Sequence, residues 1–177
     1  MEDAKLIEQI RDGKPQLFDE LIKKYYGNIY CYCYRHVSNK QVSEDLTQDV
    51  FIKVIKSIDR YKHYGKFENY LYVIARNICK DFYKKKKDVY LEEIKIQSEE
   101  NQILLTEDKV FIQQALQTLP EVEREVMILR YYHDLKFKDI AKIMRCTVSI
   151  TKYRLNRAEK KLSRWSKEEM YYEESRA

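Results

Sequence analysis

Apolar residues recur along most of this chain at steps of three and four, the spacing of one face of an α-helix. Leu17, Phe18, Leu21, Ile22, Tyr25, Tyr26, Ile29 and Tyr30 form the first run. They predict one long amphipathic helix with Pro15 near its start, where a proline is tolerated. Ser43 then reads as an N-cap, with Glu44 and Asp45 complementing the positive helix end. The helix it opens is expected to run to about Ile58. A turn follows through "RYKHYGKF", with Gly65 as its flexible point. A third helix should start near Phe67 and reach about Lys86, burying Phe67, Leu71, Ile74, Ile78 and Phe82.

Periodicity then fades in the acidic stretch "DVYLEEIKIQSEENQ", which reads as a flexible linker. Helices resume near Leu105. Pro120 occupies a first-turn position, and Val122, Val126 and Leu129 lie on one face of the helix it begins. The expected architecture is all-α: two small helical domains joined by a flexible linker. The boundaries are residues 1–88 for the first domain, 89–104 for the linker and 105–177 for the second.

The run "DIAKIMRCTVSITKYRLNRA", Asp139 to Ala158, reads better as a helix-turn-helix than as a plain helical hairpin, the alternative it leaves open. Ile140, Ala141 and Met144 form the inner face of a short helix. Arg145 and Cys146 make a tight turn, and Thr147 is a natural N-cap for the next helix. There Thr151, Leu155, Ala158 and Leu162 make a buried seam. Lys152, Tyr153, Asn156, Arg157 and Lys160 fall on the other side and carry no carboxylate, as a helix entering the major groove requires. Arg154 is intermediate, and Glu159 is an acidic intrusion. The small Ala141 allows a close helix crossing.

The helix expected over 43–58 carries more apolar residues than one buried face needs. Leu46, Val50, Phe51, Ile52, Val54, Ile55 and Ile58 cover more than one stripe. The excess is either the centre of a bundle or a surface presented to a partner, with Gln48, Asp49 and Lys53 as its polar rim. On the third helix, Arg76, Lys80 and Lys84 align at i, i+4 and i+8 beside Asn77, and Lys85–Lys87 extend the charge. Tyr61, His63, Tyr64 and Phe67 crowd the preceding loop. Cations beside aromatics suit single-stranded or distorted nucleic acid. Phe67 and Tyr61 equally suit a core.

Charge sharpens the picture. The net charge of +5 divides into +5 over residues 1–88, −5 over 89–108 and +5 over 109–177. Two basic lobes flanking an acidic connector fit a polyanionic partner. With 3 Gly and 2 Pro there are too few breakers for many hairpins. No stretch approaches the roughly 20 apolar residues of a membrane span, and the N-terminus lacks an apolar leader core. A cytoplasmic protein without membrane insertion is expected. Cys31, Cys33, Cys79 and Cys146 have no zinc-finger spacing and read as buried, reduced thiols. No carboxylate cluster, metal set or nucleophile–base pair stands out, so neither enzyme activity nor a cofactor is expected. Glu121, Glu123 and Glu125 read as complements to a helix dipole.

Two runs carry a family likeness. "SEDLTQDVFIKVIKSIDRY", followed by "FENYLYVIARNICKDFYKKKK", resembles the DNA-melting domain of bacterial sigma factors. "LQTLPEVEREVMILRYYHDLKFKDIAKIMRCTVSITKYRLNRAEKKL" resembles their C-terminal helix-turn-helix domain. With only a linker between them, the chain is similar to the extracytoplasmic-function group. The resemblance implies that Asp45, Leu46, Gln48, Asp49, Phe51 and Ile52 dock on the coiled-coil clamp of the β′ subunit of RNA polymerase. It implies that the loop Tyr61–Lys66, including His63 and Tyr64, holds a flipped base of the −10 element together with Asn77, while Arg76, Lys80 and Lys84 neutralise phosphates. Lys152, Tyr153, Arg154, Asn156 and Arg157 would read the −35 element, and the first helices of the second domain would rest on the β flap. An anti-sigma partner would cover the same faces. The free chain is expected to be a monomer.

Four positions depart from the family pattern. Tyr70 stands where a tryptophan is usual, and Arg145 replaces the usual turn glycine. Ile150–Thr151 replaces Thr-Val, and Glu159 replaces a basic residue. The rival reading from another class is a stand-alone helix-turn-helix repressor acting as a dimer. It would use the apolar face of the helix around Leu46–Ile58 only for dimerisation.

Overall fold

The computed structural model describes residues 3–62, 65–89 and 107–174, with side-chain surroundings for 3–62, 65–85 and 111–167. Every regular element among them is helical, as the periodicity predicts. The chain divides into two compact units, Met1–Gln97 and Ser98–Ala177. Most of the linker expected over 89–104 lies outside the described residues.

In the first unit, α1 (Asp3–Arg11) and a short turn Pro15–Leu17 precede α2 (Phe18–Val37), α3 (Lys40–Ser57) and α4 (Phe67–Val89). Helices α2, α3 and α4 pack pairwise into the core. Ile29, Tyr32 and Cys33 of α2, Val50 and Val54 of α3, and Leu71, Tyr72 and Ala75 of α4 are all buried. The rings of Tyr32 and Tyr72 lie 5.5 Å apart. On α4, Ile78 and Phe82 are only half-buried, and Tyr72, Ala75 and Cys79 take the inner places.

Helix α1 is not among the helices that the periodicity predicts. Leu6, Ile7 and Ile10 bury one face of it. Asp3 accepts from Tyr25 Oη at 2.6 Å and pairs with Lys24. At its other end the Arg11 guanidinium donates to the carbonyls of Ile58 and Tyr61. Helix α1 thus bridges the start of α2 and the end of α3.

The start of α3 also differs from expectation. Helix α2 ends at Ser38, in the left-handed region at φ 54°, and Asn39 caps α3 by accepting from Val42 N–H at 2.9 Å. Ser43 is fully buried inside the helix, its hydroxyl donating to the Asn39 carbonyl at 2.5 Å. A serine next to a close-packed helix can satisfy itself on the preceding turn, and that removes it from capping.

The second unit contains α5 (Glu107–Thr118), α6 (Glu121–Met127) continued by a π-helical turn Ile128–Tyr132, α7 (Phe137–Ile143) and α8 (Val148–Glu174). Pro120 serves as the N-cap residue of α6. Leu116, Val126, Ile128, Leu129, Ile140, Ile143 and Ala158 form the core, while Val122 faces outward. Phe111 and Trp165 pack at 4.7 Å between α5 and α8.

The turn between α7 and α8 is a complete Schellman motif. Cys146 N–H donates to Ala141 O at 2.9 Å and Arg145 N–H to Lys142 O at 3.3 Å. Arg145 holds the left-handed position at φ 51°, where glycine is usual. Thr147 caps α8, accepting from Ile150 N–H at 3.2 Å. Thr151, Leu155 and Ala158 are buried and Leu162 half-buried, as the seam requires. Helix α8 continues well past Trp165.

Candidate nucleic-acid and protein interfaces

Three faces collect the residues singled out by sequence. On α3, Asp45, Gln48 and Asp49 are exposed, and Ile52 is 47% and Ile55 43% exposed. Leu46 and Phe51 are each only 6% exposed. The Phe51 ring stacks on Tyr26 of α2 at 6.2 Å. The apolar excess of this helix therefore splits. One part, with Val50, Val54 and Ile58, fills the core. A shorter strip of Ile52 and Ile55 remains outside beside Asp45, Gln48 and Asp49. Leu46 and Phe51 are buried in the free chain, where the sequence suggested exposed positions. Ile55, missed among the candidates, is recognisable as the neighbour of Ile52 one helical turn on.

On the second face, Arg76 is half-buried and Asn77, Lys80 and Lys84 are exposed along α4. Lys66 is exposed ahead of them. Tyr61 is buried at 7% exposure, its ring 5.3 Å from Phe67 and 4.7 Å from Tyr70. Burial raises its hydroxyl pKa. Tyr61 is thus packed into the core, where the sequence left stacking platform and core both open. His63 and Tyr64 lie outside the described residues. Tyr70 joins Ser57 through a 2.6 Å hydroxyl–hydroxyl bond, which fixes the two ends between which this loop is hung.

The third face is on α8. Lys152, Tyr153, Asn156, Arg157 and Lys160 are exposed, with Tyr153 at 61%. Arg154 is half-buried, and its Nη1 approaches Cys146 Sγ at 3.8 Å, turned back toward the turn. Lys152 Nζ lies 5.6 Å above the Phe137 ring and Arg157 lies 5.7 Å from the Tyr153 ring centroid. Glu159 accepts from Tyr131 Oη, so the acidic intrusion is tied down to the preceding helical segment. That bond is the first cause of the raised Tyr131 pKa, ahead of burial.

Glu123 and Glu125 are buried rather than exposed dipole complements. Glu123 pairs with Arg157 at 3.2 Å and Lys161 at 2.7 Å, a link between residues far apart in sequence that no local spacing reveals. Of the cysteines, Cys33 and Cys79 are buried, Cys146 is half-buried and Cys31 is exposed, and none of the four is in a disulfide. The Cys79 thiol, hydrogen-bonded to Cys33, lowers the Cys33 pKa against the opposing effect of burial. Among the described residues no group of three or more His, Cys, Asp or Glu could hold a metal ion. No described helix is long and apolar enough to cross a membrane.

An apolar-and-acidic helix strip, a basic helix behind an aromatic loop and a basic helix-turn-helix thus lie on one chain in that order. Residues 21–89 match the family model for Sigma-70 region 2, and residues 112–162 match that for Sigma-70, region 4. The chain is 32% identical over 174 residues to the ECF RNA polymerase sigma factor SigW of Bacillus subtilis, covering 89% of this chain and 93% of that one. The chain belongs to the extracytoplasmic-function group of the sigma-70 family. This sigma factor is also 30% identical over 173 residues to the RNA polymerase sigma-H factor of Pseudomonas aeruginosa, covering 89% and 90% of the two chains. Its fold is shared with CnrH, solved in complex with the cytosolic domain of CnrY (TM-score 0.73, 20% identity, 93% and 97% of the two chains). It is shared as well with the sigma factor RpoE of Bartonella quintana, solved with the anti-sigma factor NepR (TM-score 0.68, 23% identity, 85% and 96%). The function is that of a sigma factor in transcription initiation, and a stand-alone repressor is not favoured.

Proposed function

We propose that this sigma factor divides promoter selection between its two units and leaves the chemistry to RNA polymerase, being no enzyme itself. Residues 1–88 would bind the core enzyme and open the −10 element, 89–104 would act as tether, and 105–177 would read the −35 element. The observation that carries this reading is the strip on α3. Ile52 and Ile55 stand out of an otherwise packed helix, flanked by Asp45, Gln48 and Asp49. Apolar centres with a polar rim are what a protein interface needs, and the β′ clamp coiled coil of the polymerase is the expected occupant.

For the −10 element, Lys66, Arg76, Lys80 and Lys84 supply phosphate contacts, and Asn77 with His63 and Tyr64 would hold an extruded base. Tyr61, being buried, would support that pocket from below. Unstacking is opposed by about 1.4 kcal/mol per base-pair step, so a bubble of roughly a dozen steps is beyond what one small chain recovers. The free chain is therefore expected to bind promoter DNA weakly, and opening should need the holoenzyme. For the −35 element, Lys152, Tyr153, Asn156 and Arg157 face the groove, with Arg154 as a lesser contributor, while the early helices of the second unit would rest on the β flap. An anti-sigma partner is supported by the similar fold of RpoE, solved with the anti-sigma factor NepR. It would mask these same faces.

The test is co-elution with bacterial core RNA polymerase on a sizing column. The chain should co-elute, and Ile52→Glu should abolish co-elution while leaving the helical circular dichroism unchanged. Failure to co-elute, together with a dimeric chain that grips duplex DNA alone, would overturn the proposal.

A further inference from the structure

A carboxylate in the first turn of a helix ordinarily stands in solvent and offsets the positive end of the dipole. Glu123, in the first turn of α6, does something else. Its side chain is only 5% exposed and engages two cations of α8, one per oxygen. Arg157 Nε lies 3.2 Å from Oε1 and Lys161 Nζ 2.7 Å from Oε2. A carboxylate so far from water is tolerated only when paired. Lys161 is a charge partner beside Oε2 without completing a hydrogen bond to it, and the two ion pairs together restrain the carboxylate between the helices.

The consequence falls on Arg157. The carboxylate meets the guanidinium at Nε, its inner end, so the terminal fork is left outermost on a side chain that is 50% exposed. The Tyr153 ring lies under the same guanidinium at 5.7 Å, a second restraint of cation–π type. An arginine paired at Nε and placed over an aromatic ring has fewer rotamers open to it before it meets DNA. Its planar fork then matches the paired acceptors of guanine, the commonest bidentate base contact. Without the carboxylate the same side chain is long enough to swing to a phosphate, which carries no sequence information.

We propose that Glu123 is a positioning residue for promoter reading: it fixes Arg157 against Tyr153 and aims the guanidinium at one base pair of the upstream element. The inference rests on the reading of α8 as the −35 helix. It is tested with holoenzyme reconstituted from the full chain and core polymerase. The probe is a library of duplexes carrying a randomised upstream block, from which bound molecules are selected and sequenced.

The wild type should select a defined upstream sequence. Glu123→Gln, close to isosteric, should lose roughly tenfold of the preference at a single base pair, the scale of one bidentate contact. Binding to scrambled duplex should not fall. Arg157→Ala should lose preference at the same base pair, and the double variant should lose no more than either alone. Should Glu123→Gln fail to fold, Arg157→Lys, which keeps the charge but lacks the Nε–H and the fork, should show the same loss at the same base pair with an unchanged salt slope. A Glu123→Gln protein that is folded and keeps the wild-type preference at every position overturns the inference alone, as does an Arg157→Lys that keeps it. A wild-type holoenzyme that selects no upstream sequence overturns the −35 reading itself.

Discussion

Tyr70 Oη lies 2.6 Å from Ser57 Oγ, joining the first turn of α4 to the last turn of α3. The Ser57 hydroxyl already donates to Lys53 O at 2.6 Å, so its single proton is spent and Tyr70 must be the donor. The bond closes the base of the segment Ile58–Lys66, which holds the candidate −10 loop. Tyr70→Phe removes the donor and leaves Ser57 partnered. It should cost about 1 kcal/mol, the ordinary net worth of one hydrogen bond. Urea unfolding followed by tyrosine near-ultraviolet circular dichroism measures this. A variant as stable as the wild type would mean that the bond is not part of the folded chain in solution.

The split of α3 into an inner and an outer apolar set separates two effects that a single substitution could confuse. Phe51→Ala empties a packed site and should destabilise the first unit by about 3–5 kcal/mol. Any loss of polymerase binding would then follow from unfolding. Ile52→Glu and Ile55→Glu alter exposed positions and should change stability by no more than about 0.5 kcal/mol. Ile52→Glu should abolish co-elution with core polymerase and Ile55→Glu should weaken it. If Ile52→Glu binds like the wild type, the outer strip is not the docking face.

How far the sequence reveals this arrangement can be judged at single positions. The long helices are legible because their apolar residues repeat over many turns. Which of two adjacent apolar residues faces inward is not. Phe51 and Ile52 are equally apolar, and only the Tyr26 ring across from Phe51 decides between them. Capping is ambiguous for a similar reason. Asn39 and Ser43 are both good N-cap residues one helical turn apart, and the burial of Ser43 settles the choice. On α8 the periodicity separates seam from surface correctly. It cannot show that Arg157 is held by Glu123, because that pair joins different helices and leaves no repeat in the chain. The aromatic Tyr61 reads equally as stacking platform or core until Phe67 and Tyr70 are seen around it.

The buried tyrosines of the first unit imply a defined alkaline limit. Burial is the largest cause raising the pKa of Tyr25, Tyr72 and Tyr61, and the hydrogen bond to Asp3 adds to it at Tyr25. In the unfolded chain these hydroxyls ionise near their ordinary value of about 10. Above that pH the folded state keeps protons that the unfolded state has lost, so stability must fall as pH rises. Below about pH 10 both states are protonated and these groups contribute no slope. The first unit should therefore lose up to about 1.4 kcal/mol per pH unit for each such tyrosine. Tyr25→Phe should make the alkaline fall shallower. Stability measured by urea from about pH 9 to well above the ordinary tyrosine pKa of about 10 tests the sign, and a stability that rose with pH across that range would contradict it.

Arg145 offers the clearest separation of stability from recognition. It occupies the left-handed position of the Schellman turn at φ 51°, where an L side chain is strained by roughly 1–2 kcal/mol relative to glycine. Glycine recovers that strain but brings a more flexible unfolded chain, which offsets part of the gain. The net expectation for Arg145→Gly is a second unit more stable by up to about 1 kcal/mol. The chain has a single tryptophan, Trp165, packed on Phe111 within that unit. Its fluorescence in urea therefore reports the second unit alone. The same substitution removes an exposed cation from the turn that leads into α8. If that cation meets a phosphate, the salt dependence of holoenzyme binding to promoter duplex should become shallower by about one counterion, a slope change of roughly 0.9. A more stable unit with an unchanged slope would assign Arg145 to neither fold nor DNA contact. A less stable unit would mean that its side chain makes a contact outweighing the strain.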